Sequence, residues 1–309
     1  MRESNMVNKT LFWSKQLLTA QLQWQTYLAI MLTIVSWASA FAGIRAGLRA
    51  YTPESLALLR YLTASLILIA YALVTRMPLP RWRDLPGIGL TGFIGFTFYN
   101  VALNAGEEKI PAGTASLIVA SAPIFVAIFA VTFFREQLRG WAWLGMILSF
   151  GGVALISVEP ERGLQISFSA FIVLAAAVAQ AAYSVAQKPY LKRYNPLQYT
   201  TYAIWSGTLF LLIFMPGLLE QMPTASADAI LAVVYMGIFP GAIGYVSWSY
   251  VLSRWPAAKA GSFLYLIPAV AIVIAWFWLG EVPTLASLLG GMLILVGVVV
   301  VNWSGRRKT

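Results

Sequence analysis

The sequence predicts an all-α integral membrane protein, with ten transmembrane helices arranged as two inverted five-helix repeats. Three observations predict it. The chain is 60% hydrophobic and only 10% charged, with a mean hydropathy of +0.75, whereas a soluble domain carries about 25% charged residues. No soluble core could hide so much apolar surface. Next, apolar segments near the roughly 20 residues that a helix needs to cross hydrocarbon follow one another with short, charged connections. Finally, the sequence matches itself at an offset of 145 residues.

In order, the predicted spans are 27–47, 55–75, 86–105, 112–134, 141–158, 168–187, 198–218, 228–252, 258–279 and 285–303. Residues 1–26 form a cytoplasmic extension. Lys15, Gln16 and Gln21 break its apolar residues and no small-residue cleavage site follows, which excludes a secretory signal. Two readings of it stand: a helix lying in the interface on Leu11, Phe12, Leu18 and Leu22, or a frayed tail. The first repeat then fills 27–158, the second 168–303, and 304–309 is a basic cytoplasmic tail.

Charge orients the bundle. With the N-terminus in the cytoplasm, 16 of the 21 Lys and Arg residues fall on inner segments. Arg45, Arg49, Lys109 and Arg162 fall outside, and Arg60 lies within the second span. Both termini are therefore expected inside. The net charge of +10 belongs to membrane faces, so nucleic acid is not an expected partner.

At the offset of 145, Pro111 falls on Pro256, Pro123 on Pro268, Glu136 on Glu281, Gly145 on Gly290 and Gly152 on Gly297. At 143, Arg45 falls on Lys188, Tyr51 on Tyr194 and Pro53 on Pro196. Five is odd, so the second copy enters the membrane from the other side. Glu136 then sits at the cytoplasmic face and Glu281 at the outer face, each ending the fourth helix of its repeat. Both fit a boundary marker or local salt bridge, and both fit ion coupling. Arg135 and Arg139 flank Glu136, whereas Glu281 has no basic neighbour in sequence. Inverted repeats are the architecture of secondary transporters, in which two near-equivalent halves exchange conformations around one central site.

Several stretches carry a resemblance: TIVSWASAFAGIRAGL in span 1, PESLALLRYLTASLIL in span 2, and a mid-helix proline followed thirteen residues on by Glu and then by a Gly-rich apolar helix, in both halves. Over about 27–303 the chain resembles the EamA family of the drug/metabolite transporter superfamily. The resemblance implies ten helices, a bacterial inner-membrane location and export of amino acids or similar small metabolites. Span 6 departs from the repeat, with Gln180 where span 1 has Trp37.

Pro123 and Pro268, near the centres of spans 4 and 9, each remove a backbone donor and crowd the carbonyl one turn earlier. Paired kinks at mid-depth point to a hinge beside a central cavity. The candidate cavity residues are Trp37, Ser39, Tyr99, Asn100, Asn104, Ser116, Gln180, Tyr183, Tyr245, Trp248, Ser262 and Tyr265. Walls of Trp37, Tyr99, Trp248 and Tyr265 would suit an amphipathic solute. The same polar residues also fit helix–helix contacts. Arg60 either snorkels outward or meets a substrate carboxylate.

No Asp or Glu is expected at mid-membrane, and the chain has neither His nor Cys. That leaves no nucleophile–base pair, no metal set and no expected cofactor; no Walker pattern implies ATP. The expected function is a secondary exporter of small metabolites, with the solute and the lipid bilayer as partners. Two other readings remain: a proton-coupled drug/metabolite antiporter working through Glu136 or Glu281, and a structural or signalling membrane protein without flux. The short loops suggest no large protein partner.

Overall fold

In hydrocarbon every backbone polar group must be satisfied within the chain, so a chain of this composition has to fold as helices. The computed structural model describes residues 2–134, 140–159, 165–255, 260–261 and 263–304, with side chains omitted at 2–22, 130, 134, 157–159, 165–166 and 301–304. Its apolar helices are α1 (Gln23–Gly47), α2 (Pro53–Val74), α3 (Trp82–Glu107), α4 (Ala112–Phe133), α5 (Gly140–Ile156), α6 (Phe168–Lys192), α7 (Pro196–Thr224), α8 (Ala227–Arg254), α9 (Leu264–Leu279) and α10 (Leu285–Val300). Seven are long enough to cross a membrane, while α5, α9 and α10 are shorter over the described residues. All fall in order on the predicted spans. The helix holding α1 begins at Arg2 and runs unbroken to Gly47. A two-residue antiparallel pairing, Val158 with Ile166 and Glu159 with Gln165, joins α5 to α6.

The repeat is visible in the caps. Thr52 accepts a hydrogen bond from the Ser55 N–H ahead of Pro53 at the start of α2. Asn195 and Gln198 form a capping box around Pro196 at the start of α7. It is visible again in the helix interruptions. A π turn at Phe93–Phe98 in α3 is matched by one at Phe239–Ile243 in α8. In α4 the helix breaks between Val119 and Ala122, and Pro123 opens the next segment. In α9 a 3₁₀ turn at Leu264–Leu266 precedes Pro268.

Packing shows how the two copies are related. Helices α5 and α10 touch backbone to backbone. A Cβ on Gly152 would stand 2.4 Å from the Gly290 carbonyl oxygen, one on Gly290 2.6 Å from that of Gly152, and one on Gly297 2.3 Å from that of Gly145. Because Gly145 corresponds to Gly290 and Gly152 to Gly297, this contact is self-complementary, as at a two-fold interface. Its residue numbers run in opposite senses, so the helices are antiparallel and the pseudo-two-fold lies across them, which is what inverted repeats require. Away from the axis the contacts come in pairs. A Cβ on Gly92 would meet the Ala203 carbonyl at 2.5 Å, and one on its counterpart Gly237 would meet the Arg60 carbonyl at 2.7 Å. Ser65 and Thr208, equivalent at the offset of 143, share a hydrogen bond of 2.9 Å.

Valine at Gly152 should therefore force α5 and α10 apart and destabilise the protein by about 1–3 kcal/mol. Gly151, next to it, has nothing within 4 Å of a would-be Cβ. Thermal unfolding in detergent should show a lowered midpoint for Gly152→Val and none for Gly151→Ala; equal midpoints would remove the close contact from the account.

Candidate functional site

The π turn of α3 presents Phe96 to the middle of the bundle, fully buried. Its ring lies 5.6 Å from Tyr61 of α2, 5.2 Å from Tyr183 of α6 and 5.8 Å from Tyr245 of α8, all edge-on. Tyr245 leads to Trp37 of α1 at 5.3 Å, and Trp37 to Trp248 at 5.7 Å. Such tilted contacts suit ring quadrupoles. The matching π turn of α8 is read from the other side, where the Trp37 indole N–H donates to the Pro240 carbonyl at 3.3 Å.

Beside this array runs a buried polar line. Asn100 donates to the Tyr61 hydroxyl at 3.0 Å and to the Phe96 carbonyl at 2.9 Å, and accepts from Arg60 at 3.2 Å. One turn on, the Asn104 amide donates to the Pro53 carbonyl at 2.8 Å. The line ends at Glu107, which is fully buried. Among the described residues neither of its carboxyl oxygens has a hydrogen-bond partner, and the Asn104 Oδ1 and Arg60 Nε atoms likewise have none.

Two latches flank the site, one at each membrane face. At the face holding the α1–α2 connection, Gly280 ends α9 in the left-handed region with φ of 70°, a conformation that suits a residue without Cβ. The chain turns there into Glu281. Glu281 accepts from Arg45 Nε at 3.0 Å and from the Ala112 N–H, at the start of α4, at 2.8 Å. Arg45 Nη1 donates to the carbonyls of Glu107 at 2.6 Å and Glu108 at 3.1 Å. One ion pair thus ties α1, α3, α4 and the α9–α10 turn together. At the face holding the α2–α3 connection, Asp84 accepts from Arg193 at 2.6 Å and from the Tyr194 hydroxyl at 2.7 Å. Burial raises the Tyr194 hydroxyl above the ordinary phenol value, which keeps it a donor.

Two cavities of about 460 Å³ open at the α1–α2 face. Asp228, Arg49, Tyr235 and Trp278 line one; Arg45, Arg49, Glu108 and Glu281 line the other. The first reaches Tyr235, whose hydroxyl shares a 2.8 Å hydrogen bond with Ser39.

Of the sequence candidates, Trp37, Tyr183, Tyr245 and Trp248 come together around Phe96. Asn100 and Asn104 run beside it along α3, whereas Ser39 bonds Tyr235 at the first cavity. Tyr99 is half-buried and packs on the main core. Tyr265 packs in a separate cluster with Ile124, Met146 and Val298. Ser116 bonds the Gly113 carbonyl at 2.6 Å, and Gln180 is half-buried on α6. Ser262 and Glu136 lie outside the described residues. Glu281, without a basic neighbour in sequence, finds Arg45 across 236 residues. Sequence reasoning missed Phe96, Tyr61, the role of Arg45, and above all Glu107, which a span ending at 105 leaves in a loop. The available signal was the spacing of Asn100, Asn104 and Glu107, which puts all three on one helix face.

The model of the EamA-like transporter family matches residues 24–158 and again 167–303, one copy per repeat. An uncharacterized transporter of Bacillus subtilis (strain 168), YdfC, is 44% identical over 274 residues, covering 89% of this chain and 90% of its own. A probable terminal-alkyne amino-acid exporter of Streptantibioticus cattleyicolor is also 44% identical, over 283 residues that cover 91% of this chain and 95% of its own. A solved crystal structure at 21% identity superposes with a TM-score of 0.60 over 89% of this chain and 95% of that one, a likeness of fold. With a family match in each repeat and two relatives at this identity along nearly the whole chain, the protein belongs to the EamA-like transporter family.

Proposed function

We propose that this protein exports small amphipathic metabolites, amino acids or close relatives, by alternating access around the Phe96 array, with all ten helices crossing the inner membrane and both termini in the cytoplasm. The α2–α3 face is then cytoplasmic and the α1–α2 face external. One observation carries the reading: the contacts on the pseudo-two-fold are symmetric, and a tyrosine–aspartate contact at the two faces is not. Tyr194 corresponds to Tyr51 at the offset of 143, and Asp84 to Asp228 at 144. Tyr194 is bonded to Asp84. The Tyr51 hydroxyl is buried without a partner among the described residues, and Asp228 is exposed in an open cavity. The tyrosine–aspartate pair is thus bonded at the cytoplasmic face and unbonded at the outer face, where Arg45 and Glu281 hold the elements together instead, a difference of the kind that alternating access exchanges.

The solute class draws support from the relative named as an amino-acid exporter and from the site's chemistry. Arg60 is a buried cation with a donor unspent, fit for a carboxylate, and it adjoins rings fit for an apolar side chain. The hinge role of Pro123 and Pro268 fits the helix breaks beside them.

Counterflow in proteoliposomes tests the reading. Vesicles preloaded with unlabelled L-phenylalanine should accumulate the labelled form above empty-vesicle controls. Tyr245→Ala should lower that uptake about tenfold, from losing ring burial worth ~1.5–3 kcal/mol. Trp82→Ala, at a side chain 74% exposed and far from the array, should not change it. No counterflow for phenylalanine, or for a wider amino-acid panel, from folded protein would reject the amino-acid reading.

The latch has its own test, helped by the absence of native cysteine. A single Ser226→Cys, in the outer cavity, should react readily with an impermeant maleimide. Adding Tyr194→Phe removes a hydrogen bond to a charged group, worth ~1.5–3 kcal/mol. The population should shift toward the form closed outside, and labelling should slow about tenfold. Unchanged labelling would mean that Tyr194 and Asp84 hold no gate.

A further inference from the structure

We infer that Glu107, with Asn104 and Arg60, is a clamp for a zwitterionic solute, and that the Glu107 carboxyl exchanges a proton for the solute's ammonium group. The inference rests on the amino-acid reading above and goes further, naming the groups that hold the two charges and the ion that drives export.

The atoms that carry it are buried and unspent. Glu107 is fully buried and Arg60 nearly so, and they lie on facing helices, α3 and α2. Both Glu107 carboxyl oxygens, the Asn104 Oδ1 and the Arg60 Nε lack hydrogen-bond partners among the described residues. Native proteins leave few buried polar atoms unpaired. Here three lie on one face of α3 and the fourth on α2, where Arg60 meets Asn100, so that acceptors and a donor stand at opposite ends of two helical turns. Asn100, which holds Arg60, lies seven residues from Glu107, a rise of about 10 Å. Two charge-assisted contacts of about 2.8 Å each, with the short backbone of an α-amino acid between them, reach across a gap of that order.

A carboxylate without water or donors is costly to bury, and either a proton or a bound cation removes the cost. The arginine nearest to hand does not supply that cation through a hydrogen bond. Arg45 spends Nε on Glu281 and Nη1 on the main-chain carbonyls of Glu107 and Glu108. The charges acting on Glu107 from the elements around it are Arg45 of α1, Arg60 of α2 and Glu281 of the α9–α10 turn. Its own helix adds Tyr99 and the turn after it Glu108 and Lys109, while α6 packs on Gly106 with Val173 and Ser169 and carries its charges, Lys188 and Lys192, at the opposite end. Proton and ammonium therefore compete for one carboxylate. The cycle balances: as solute enters from the cytoplasm, Glu107 gives its proton to water on that side; as solute leaves outside, the carboxylate takes a proton from external water. One proton moves in for each solute moved out.

The tests use the full chain. In proteoliposomes loaded with L-phenylalanine, acid on the receiving side should speed wild-type efflux at least fivefold. Folded Glu107→Gln should lose that acceleration and its preference for phenylalanine over 3-phenylpropionate, which lacks the ammonium group, should fall about tenfold or more. Glu107→Asp should keep the acceleration at a lower rate. A Glu107→Gln protein with wild-type acceleration or preference would overturn the inference while leaving the transporter reading intact; a wild type that moves neither probe would overturn both. Should Glu107→Gln fail to fold, wild-type protein in weakly buffered detergent still decides the matter. Phenylalanine should release about one proton per bound molecule and 3-phenylpropionate none, and no release with phenylalanine would reject the exchange.

Discussion

The rule that hydrocarbon offers a backbone no water governs this molecule, because the chain interrupts its own helices where it has most to lose. The π turns of α3 and α8 and the breaks in α4 and α9 free carbonyls that must find donors. Side chains supply them. Asn100 bonds the Phe96 carbonyl, Trp37 that of Pro240 and Ser121 that of Ile118. These polar residues are thus occupied in making irregular backbone tolerable, while others join helices side chain to side chain, as Ser65 joins Thr208 and Thr114 joins Ser287. Against that background the atoms left over at Arg60, Asn104 and Glu107 stand apart, since none of them is needed to satisfy a turn.

The same rule explains which parts of the fold were legible in the sequence. Composition and the apolar period gave the helices, and the self-match gave the repeat with a sense of inversion that α5 and α10 display in their antiparallel glycine contact. Pro123 and Pro268 marked helix breaks because proline removes a donor whatever the context. The π turns left no comparable mark. Pro240 lies in one of them, but its counterpart at the offset of 145 is Gly95, and a π turn needs no particular residue. Phe96 therefore read as one more apolar residue, although its turn delivers it to the centre of the aromatic array.

The site was legible by residue type more than by grouping. Trp37, Tyr245 and Trp248 share one array because α1 packs on α8. Tyr265 was expected in the same wall, yet the 3₁₀ turn before Pro268 carries it to the cluster between α4, α5 and α10. Pairs distant in sequence were harder still. Nothing near Glu281 announces Arg45, and a carboxylate at a span's edge looks solvated until the fold buries it, as it does Glu107.

Symmetry and its failure play different parts here. Glycine contacts at the axis, where carbonyl meets backbone, have no slack and hold the repeats in one relation. The polar contacts at the faces depend on side chains that can release one partner and take another. The Arg45–Glu281 pair illustrates the consequence. It is part-exposed, with side chains 31% and 18% accessible, so breaking it costs far less than breaking a dry ion pair. It also leans on the carbonyl of Glu107, whose carboxyl lies in the same field. If the carboxyl exchanges a proton as inferred above, its charged form would compete with Glu281 for Arg45 and weaken the latch, and its neutral form would leave Arg45 to Glu281. A proton at one buried side chain would then set the strength of a gate at the membrane face, with the rigid glycine core between the repeats unchanged throughout.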